Sequence, residues 1–151
     1  MDKHRVFMME ALDLARQAMR GGDEPFGALL VKNGKCVATS VNRIKSFTDP
    51  TMHAELALIS EFCRKNKITD LSSYTLYTSC EPCFMCSGAM VWSTLGTLVF
   101  SAGSRDLNYI LGEPQVNSSE TVFAHSHYQP NVIQHVLHEE GIAILTSYFK
   151  K

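Results

Sequence analysis

Four side chains in this 151-residue sequence stand at spacings that suit a metal ion and the water it would carry. Two belong to the run Cys83-Phe84-Met85-Cys86. Positions three apart on a helix lie about 60° apart around its axis, so both sulfurs can grip one ion. Thiolates near a helix N-terminus are favoured by the macrodipole. Pro82 suits the first helical position, where the missing N–H costs nothing. On spacing alone the pair reads as a redox dithiol or as half of a zinc site.

His53-Ala54-Glu55 adds to that pair. A histidine nitrogen with two thiolates makes a three-ligand set that suits one Zn²⁺ per chain and leaves the fourth position open. In a regular helix Glu55 would point away from His53. Both can serve one site only if the metal sits off the helix end, which places the glutamate beside the bound water. Zinc lowers the pKa of such a water to about 7. A neighbouring carboxylate can then carry the proton to a ring nitrogen and later to a departing amine. That is the chemistry for hydrolysing an aromatic amine. The competing reading is a closed structural site with Cys80 as fourth ligand, a set that has no use for Glu55.

The elements that must position these groups follow the hydrophobic pattern. Residues 3–20 read as an amphipathic helix through Met8, Leu12, Ala15 and Met19, stopped by Gly21-Gly22. Phe26–Val31 and Cys36–Val41 read as strands joined at an Asn33-Gly34 hairpin turn. Asn42–Asp49 reads as a polar loop. A helix is expected from Asp49-Pro50-Thr51 to about Lys65, with Leu56, Ile59 and Cys63 inward. Tyr74–Thr78 reads as a strand, Pro82 to Ser93 as a helix and Thr97–Ala102 as a buried strand. Residues 103–131 give no clear pattern, and His125-Ser126-His127 reads as a solvated loop. Val132–Leu137 is expected as a last strand and His138–Lys150 as a closing helix. Helices alternating with strands imply one α/β domain over residues 1–151, layered α/β/α and starting with an antiparallel hairpin.

Composition narrows the rest. Hydrophobic residues at 45% and charged residues at 19% exclude disordered, collagenous and coiled-coil classes. A net charge of −1 gives no global pull toward nucleic acid or anionic membrane. The five cysteines, with no apolar segment after the first charges, predict a cytoplasmic protein without a disulfide framework or membrane span. Cys36 and Cys63 read as core thiols, and Cys80 as shaping a turn beside the pocket.

Together His53-Ala54-Glu55 and Pro82-Cys83-Phe84-Met85-Cys86 match the H-x-E … P-C-x-x-C signature of zinc nucleobase deaminases. With PFGALLV, DPTMHAE and YTSCEPCFMCSGAM, the chain resembles the cytidine deaminase-like superfamily, in the branch of guanine and tRNA adenosine deaminases. The resemblance covers about residues 5–102. It implies a three-layer α/β/α sandwich with a central five-stranded mixed sheet. It implies zinc on His53, Cys83 and Cys86, with Glu55 as the catalytic proton shuttle. It also implies that Asn42 hydrogen-bonds the base, that Phe26 walls the pocket, and that backbone around Ala54 and Ser79 meets the reacting edge. A homodimer is expected on the same ground.

YTSCEPCFMC and Trp92 lean toward a small purine base such as guanine. The alternative is adenosine in tRNA, with Arg43, Lys45, Arg64, Lys65, Lys67, Lys150 and Lys151 as phosphate contacts. A third reading is a non-catalytic domain held by structural zinc. Guanine deaminases also place a carboxylate in the C-terminal segment, where Asp106 and Glu113 could stand in.

Overall fold

The structure, a computed structural model, describes residues 2–150. Helix α1 (Lys3–Arg20) starts where the Asp2 carboxylate accepts from the His4 N–H at 3.0 Å, and it stops at Gly21. Its buried stripe is Met8, Ala11, Leu12, Ala15 and Ala18, with Met19 only partly covered. Strands β1 (Gly27–Lys32) and β2 (Lys35–Val41) form the expected hairpin. Asn33 and Gly34 both take positive φ, 52° and 75°, as a tight two-residue turn requires.

The segment expected as a plain polar loop contains a short helix, α2 (Ile44–Phe47). Its free N–H groups are satisfied from outside: Asn42 Oδ1 accepts from Ile44 N, and Asp23 Oδ1 accepts from Lys45 N and Ser46 N. Helix α3 (Ala54–Asn66) begins later than expected, with His53 as its N-cap. That offset puts Leu58 and Ile59 in the core and leaves Leu56 partly exposed. Strand β3 (Thr75–Cys80) leads into α4 (Phe84–Trp92), whose N-cap is Cys83, so Pro82 lies just outside the helix and does not open it.

Strand β4 (Thr97–Ala102) matches its expected span. The unpatterned stretch holds two helices, α5 (Ser104–Leu111) and α6 (Ser118–Ala124). Strand β5 (Asn131–Ile133) is only three residues long, because the chain turns at His135 and Leu137, both at positive φ. Helix α7 (His138–Phe149) closes the fold.

The five strands form one mixed sheet in the order β2-β1-β3-β4-β5. β1 is antiparallel to β2 and β3, whereas β3, β4 and β5 run parallel. Strand alternation sorts the core into two layers. Ala28, Leu30, Leu76, Leu98 and Phe100 face α3 and α4, while Leu29, Val31, Tyr77 and Val99 face α1 and α7. α1 approaches so closely that a Cβ on Gly27 would lie 2.5 Å from Leu14 Cβ. The result is the three-layer α/β/α sandwich with its five-stranded mixed sheet. Cys36 departs from expectation: β2 is an edge strand with most side chains in solvent, and Cys36 is exposed, while Cys63 is half-buried. All five cysteines are free.

Candidate active site

Two helix N-termini meet over one end of the sheet. β3 delivers Cys80 into the turn that carries Pro82 and Cys83, and α4 turns Cys86 back toward the same point. The Thr48–Met52 turn feeds His53 into α3 from the other side. His53 Nδ1 lies 3.5 Å from Cys83 Sγ and 3.7 Å from Cys86 Sγ. Tetrahedral zinc with Zn–S of about 2.3 Å and Zn–N of about 2.0–2.1 Å needs an S···N edge of about 3.6 Å. The three donors therefore fit zinc as they stand. Cys80 is not part of this donor group, so the closed four-ligand set is not formed.

The electrostatics fit a metal-binding set. A hydrogen bond from the Cys86 thiol, together with His53, holds Cys83 down to about 4 against the opposing effect of burial. Cys86 keeps its proton, pushed upward by that same hydrogen bond and by burial. His53 is raised, first by its contact with Cys83. Loading a metal on this set therefore displaces the shared proton.

Glu55 stands one residue inside α3 and is 6% exposed. Burial pushes its carboxyl up to about 7, with Cys83 adding to the rise. It lines a cleft of about 90 Å³ together with His53, Cys83, Asn42 and Phe26. Asn42 is 1% exposed, and its Oδ1 is engaged by Ile44 N, which leaves the amide nitrogen to donate. Phe26 packs against Phe149 of α7 at 6.3 Å between ring centres. Ala54 and Ser79 are buried and are not among the residues that line the cleft. Ala54 is buried between His53 and Glu55, and Ser79 Oγ accepts from Gly27 N at 3.1 Å.

Glu24, Cys80, Glu81 and Leu107 complete the walls; Cys80 was expected in the turn beside the pocket, whereas Glu24, Glu81 and Leu107 escaped the sequence reading. Glu81 is a brace: its carboxylate accepts from Ser104 N at 2.9 Å, Ser119 N at 3.0 Å and Ser119 Oγ at 2.6 Å. It thereby ties α5 and α6 to the cysteine turn. Glu24 is different, since no hydrogen bond from the described residues claims its carboxylate. Its neighbour Pro25 in the Asp23-Glu24-Pro25-Phe26 turn was the available signal, as a rigid approach to a pocket residue.

Other expected contacts lie elsewhere. Asp106 is turned away to His138, at 2.7 Å, while Glu113 borders an adjoining groove. Arg43 pairs with Glu61 at 2.8 Å, and Lys45 donates to the Tyr148 hydroxyl at 2.8 Å. Arg64 donates to Ser60 Oγ, and Lys150 lies over the Tyr109 ring. Lys151 is outside the described residues. His125 and His127 are exposed, His127 against the edge of Trp92. No described helix is long and apolar enough to cross a membrane.

Residues 1–102 match the family described as cytidine and deoxycytidylate deaminase zinc-binding region. The tRNA-specific adenosine deaminase of Aquifex aeolicus (strain VF5) is 34% identical over 151 residues, covering 96% of this chain and 93% of the relative. The guanine deaminase of Bacillus subtilis (strain 168) is 38% identical over 104 residues, 68% of this chain and 67% of that enzyme. The solved guanine deaminase from Nitrosomonas europaea superposes with a TM-score of 0.83 at 27% identity, covering 97% of this chain and 85% of that one.

Proposed function

Because the chain belongs to the cytidine and deoxycytidylate deaminase zinc-binding family, we propose that it removes the amine from a free purine base of the guanine type. The enzyme is a zinc-dependent hydrolase that deaminates a nucleobase or nucleoside. His53, Cys83 and Cys86 would hold the zinc, which when bound would lower the pKa of a water enough to supply a nucleophile at neutral pH. The water oxygen adds to the ring carbon bearing the amine, the exocyclic C–N bond breaks, and ammonia leaves as the carbonyl forms. Glu55, buried at the cleft floor, takes the water proton, passes it to the ring nitrogen and delivers a proton to the departing amine. Asn42 donates its amide to the ring, and Phe26 offers an apolar face. Backbone at Ala54 and Ser79 supports the reacting edge.

One observation carries the choice of a small base. Among the described residues, the cleft and its adjoining groove are lined by Glu24, Glu55, Glu81 and Glu113, without a lysine or arginine. Such walls repel a polyanion and suit a ring edge rich in N–H donors. Glu24 is the carboxylate free to accept from that edge. The full-length likeness to a tRNA-specific adenosine deaminase favours a second reading, adenosine in a tRNA loop. Exposed Phe84 and Trp92 on α4 support pairing of two copies as a homodimer.

Ammonia release measured across guanine, adenine, cytosine, their nucleosides and tRNA separates these readings. The proposal expects guanine to turn over and tRNA to show no inosine. Inosine formation in tRNA with guanine inert overturns it.

A further inference from the structure

We propose that Asp106, His135 and His138 form a second site for a divalent transition metal, separate from the His53–Cys83–Cys86 set. The three come from different elements: Asp106 from the first turn of α5, His135 from the turn after β5, and His138 from the start of α7. One donor atom from each lies within 4.8 Å of the other two. His138 Nε2 is 2.7 Å from Asp106 Oδ2, and the two imidazole rings lie 4.0 Å apart between centres.

Each member is braced from behind. Asp106 Oδ2 also accepts from Gly103 N at 2.8 Å. His135 stands edge-to-face against Phe100 of β4, with centres 5.9 Å apart. The turn that brings His135 back over His138 holds both His135 and Leu137 at positive φ, and Ser101 Oγ fixes it by donating to the Leu137 carbonyl at 2.8 Å. Space is left for the donors to converge because residue 103 has no side chain. A Cβ there would stand 3.2 Å from Asp106 Oδ2 and 3.3 Å from His135 Nε2.

Two imidazoles and one carboxylate suit Zn²⁺, Co²⁺ or Ni²⁺ and are poorly matched to Mg²⁺ or Ca²⁺. His135 is exposed, so water can complete the coordination. The metal must displace the His138–Asp106 hydrogen bond, which makes this the weaker of the two sites. Its mechanical effect is local to the cleft. Leu107, beside Asp106 on α5, forms part of the cleft wall, and a metal joining Asp106 to the β5–α7 turn holds that wall against α7.

The test uses the zinc-loaded protein, titrated with Co²⁺ and followed by equilibrium dialysis with metal analysis and by visible absorption. The wild type should bind a second equivalent whose d–d bands lack thiolate-to-cobalt charge transfer. His135→Gln, an exposed change, and Asp106→Asn should each weaken that second equivalent at least tenfold while keeping the first zinc. A wild type that stops at one metal per chain overturns the proposal. So does a His135→Gln protein, folded by circular dichroism, that binds the second equivalent unchanged.

Discussion

The His53–Cys83–Cys86 set and the Asp106–His135–His138 cluster both sit at helix N-termini, and each includes histidine, yet they are poised differently. In the first, nitrogen and sulfur stand 3.5 and 3.7 Å apart, close to the zinc tetrahedron edge of about 3.6 Å. In the second, nitrogen and oxygen have closed to 2.7 Å, the length of a strong charge-assisted hydrogen bond. Sulfur is larger than oxygen, so the contacts of half-buried Cys83 and buried Cys86 with His53 stay at sulfur hydrogen-bond lengths, which coincide with the zinc edge. A carboxylate and an imidazole satisfy each other without a metal. The first arrangement is therefore pre-set for an ion, and the second must trade a bond to accept one.

Ligand replacement gives the largest expected effect. Cys86→Ser should strip the tightly held zinc and take ammonia release to background, while second-site cobalt binding persists, because serine oxygen is a poor substitute for thiolate. Loss of metal at both sites in this variant would show that the two clusters are not independent. A subtler change sharpens the other half of the contrast. Gly103→Ala places a methyl among Asp106 and His135, so second-site cobalt binding should fall about tenfold with catalytic zinc unchanged, as metal analysis would show.

The smallest effect concerns the support of the catalytic cleft. Against the opposing push of burial, hydrogen bonds from Ser46 and Lys45 hold the Asp23 carboxyl below its ordinary value. A folded pKa below the unfolded one means that Asp23 stabilises the fold at neutral pH. That contribution fades as the pH falls through the folded value. Asp23→Asn, which weakens the cap on α2, should lower Tm by about 2–4 °C at pH 7. The gap to wild type should narrow in acid, which thermal unfolding at pH 7 and pH 3 would check.

Legibility followed the physics of each segment. The helix at 3–20, the Asn33-Gly34 hairpin and the strand at 97–102 carry clean periodic or turn signals, and the structure places them there. His53, Glu55, Cys83 and Cys86 were visible because their side-chain chemistry admits few uses at that spacing. α2 was hidden, since its N–H groups are satisfied by Asp23, 21 residues before Ile44 in the chain. α5 is only eight residues long, and its apolar Leu107 and Ile110 are partly buried; α6 buries Phe123 together with Ser118 and Ser119, which bond the Pro82 carbonyl and Glu81, so these short segments give a weak periodic signal. Leu58 replaces Leu56 in the core because α3 starts at Ala54. The Asp106–His135–His138 group could not be read in advance, because two left-handed residues build the turn that assembles it.

In the proposed mechanism Glu55 moves protons while His53, Cys83 and Cys86 hold zinc. Metal content and ammonia release measured on the same preparations of wild type and Glu55→Gln test it most directly. Glu55→Gln should keep its tightly held zinc and lose turnover by about 10²–10⁴-fold. A variant that turns over at the wild-type rate with its zinc in place would contradict it.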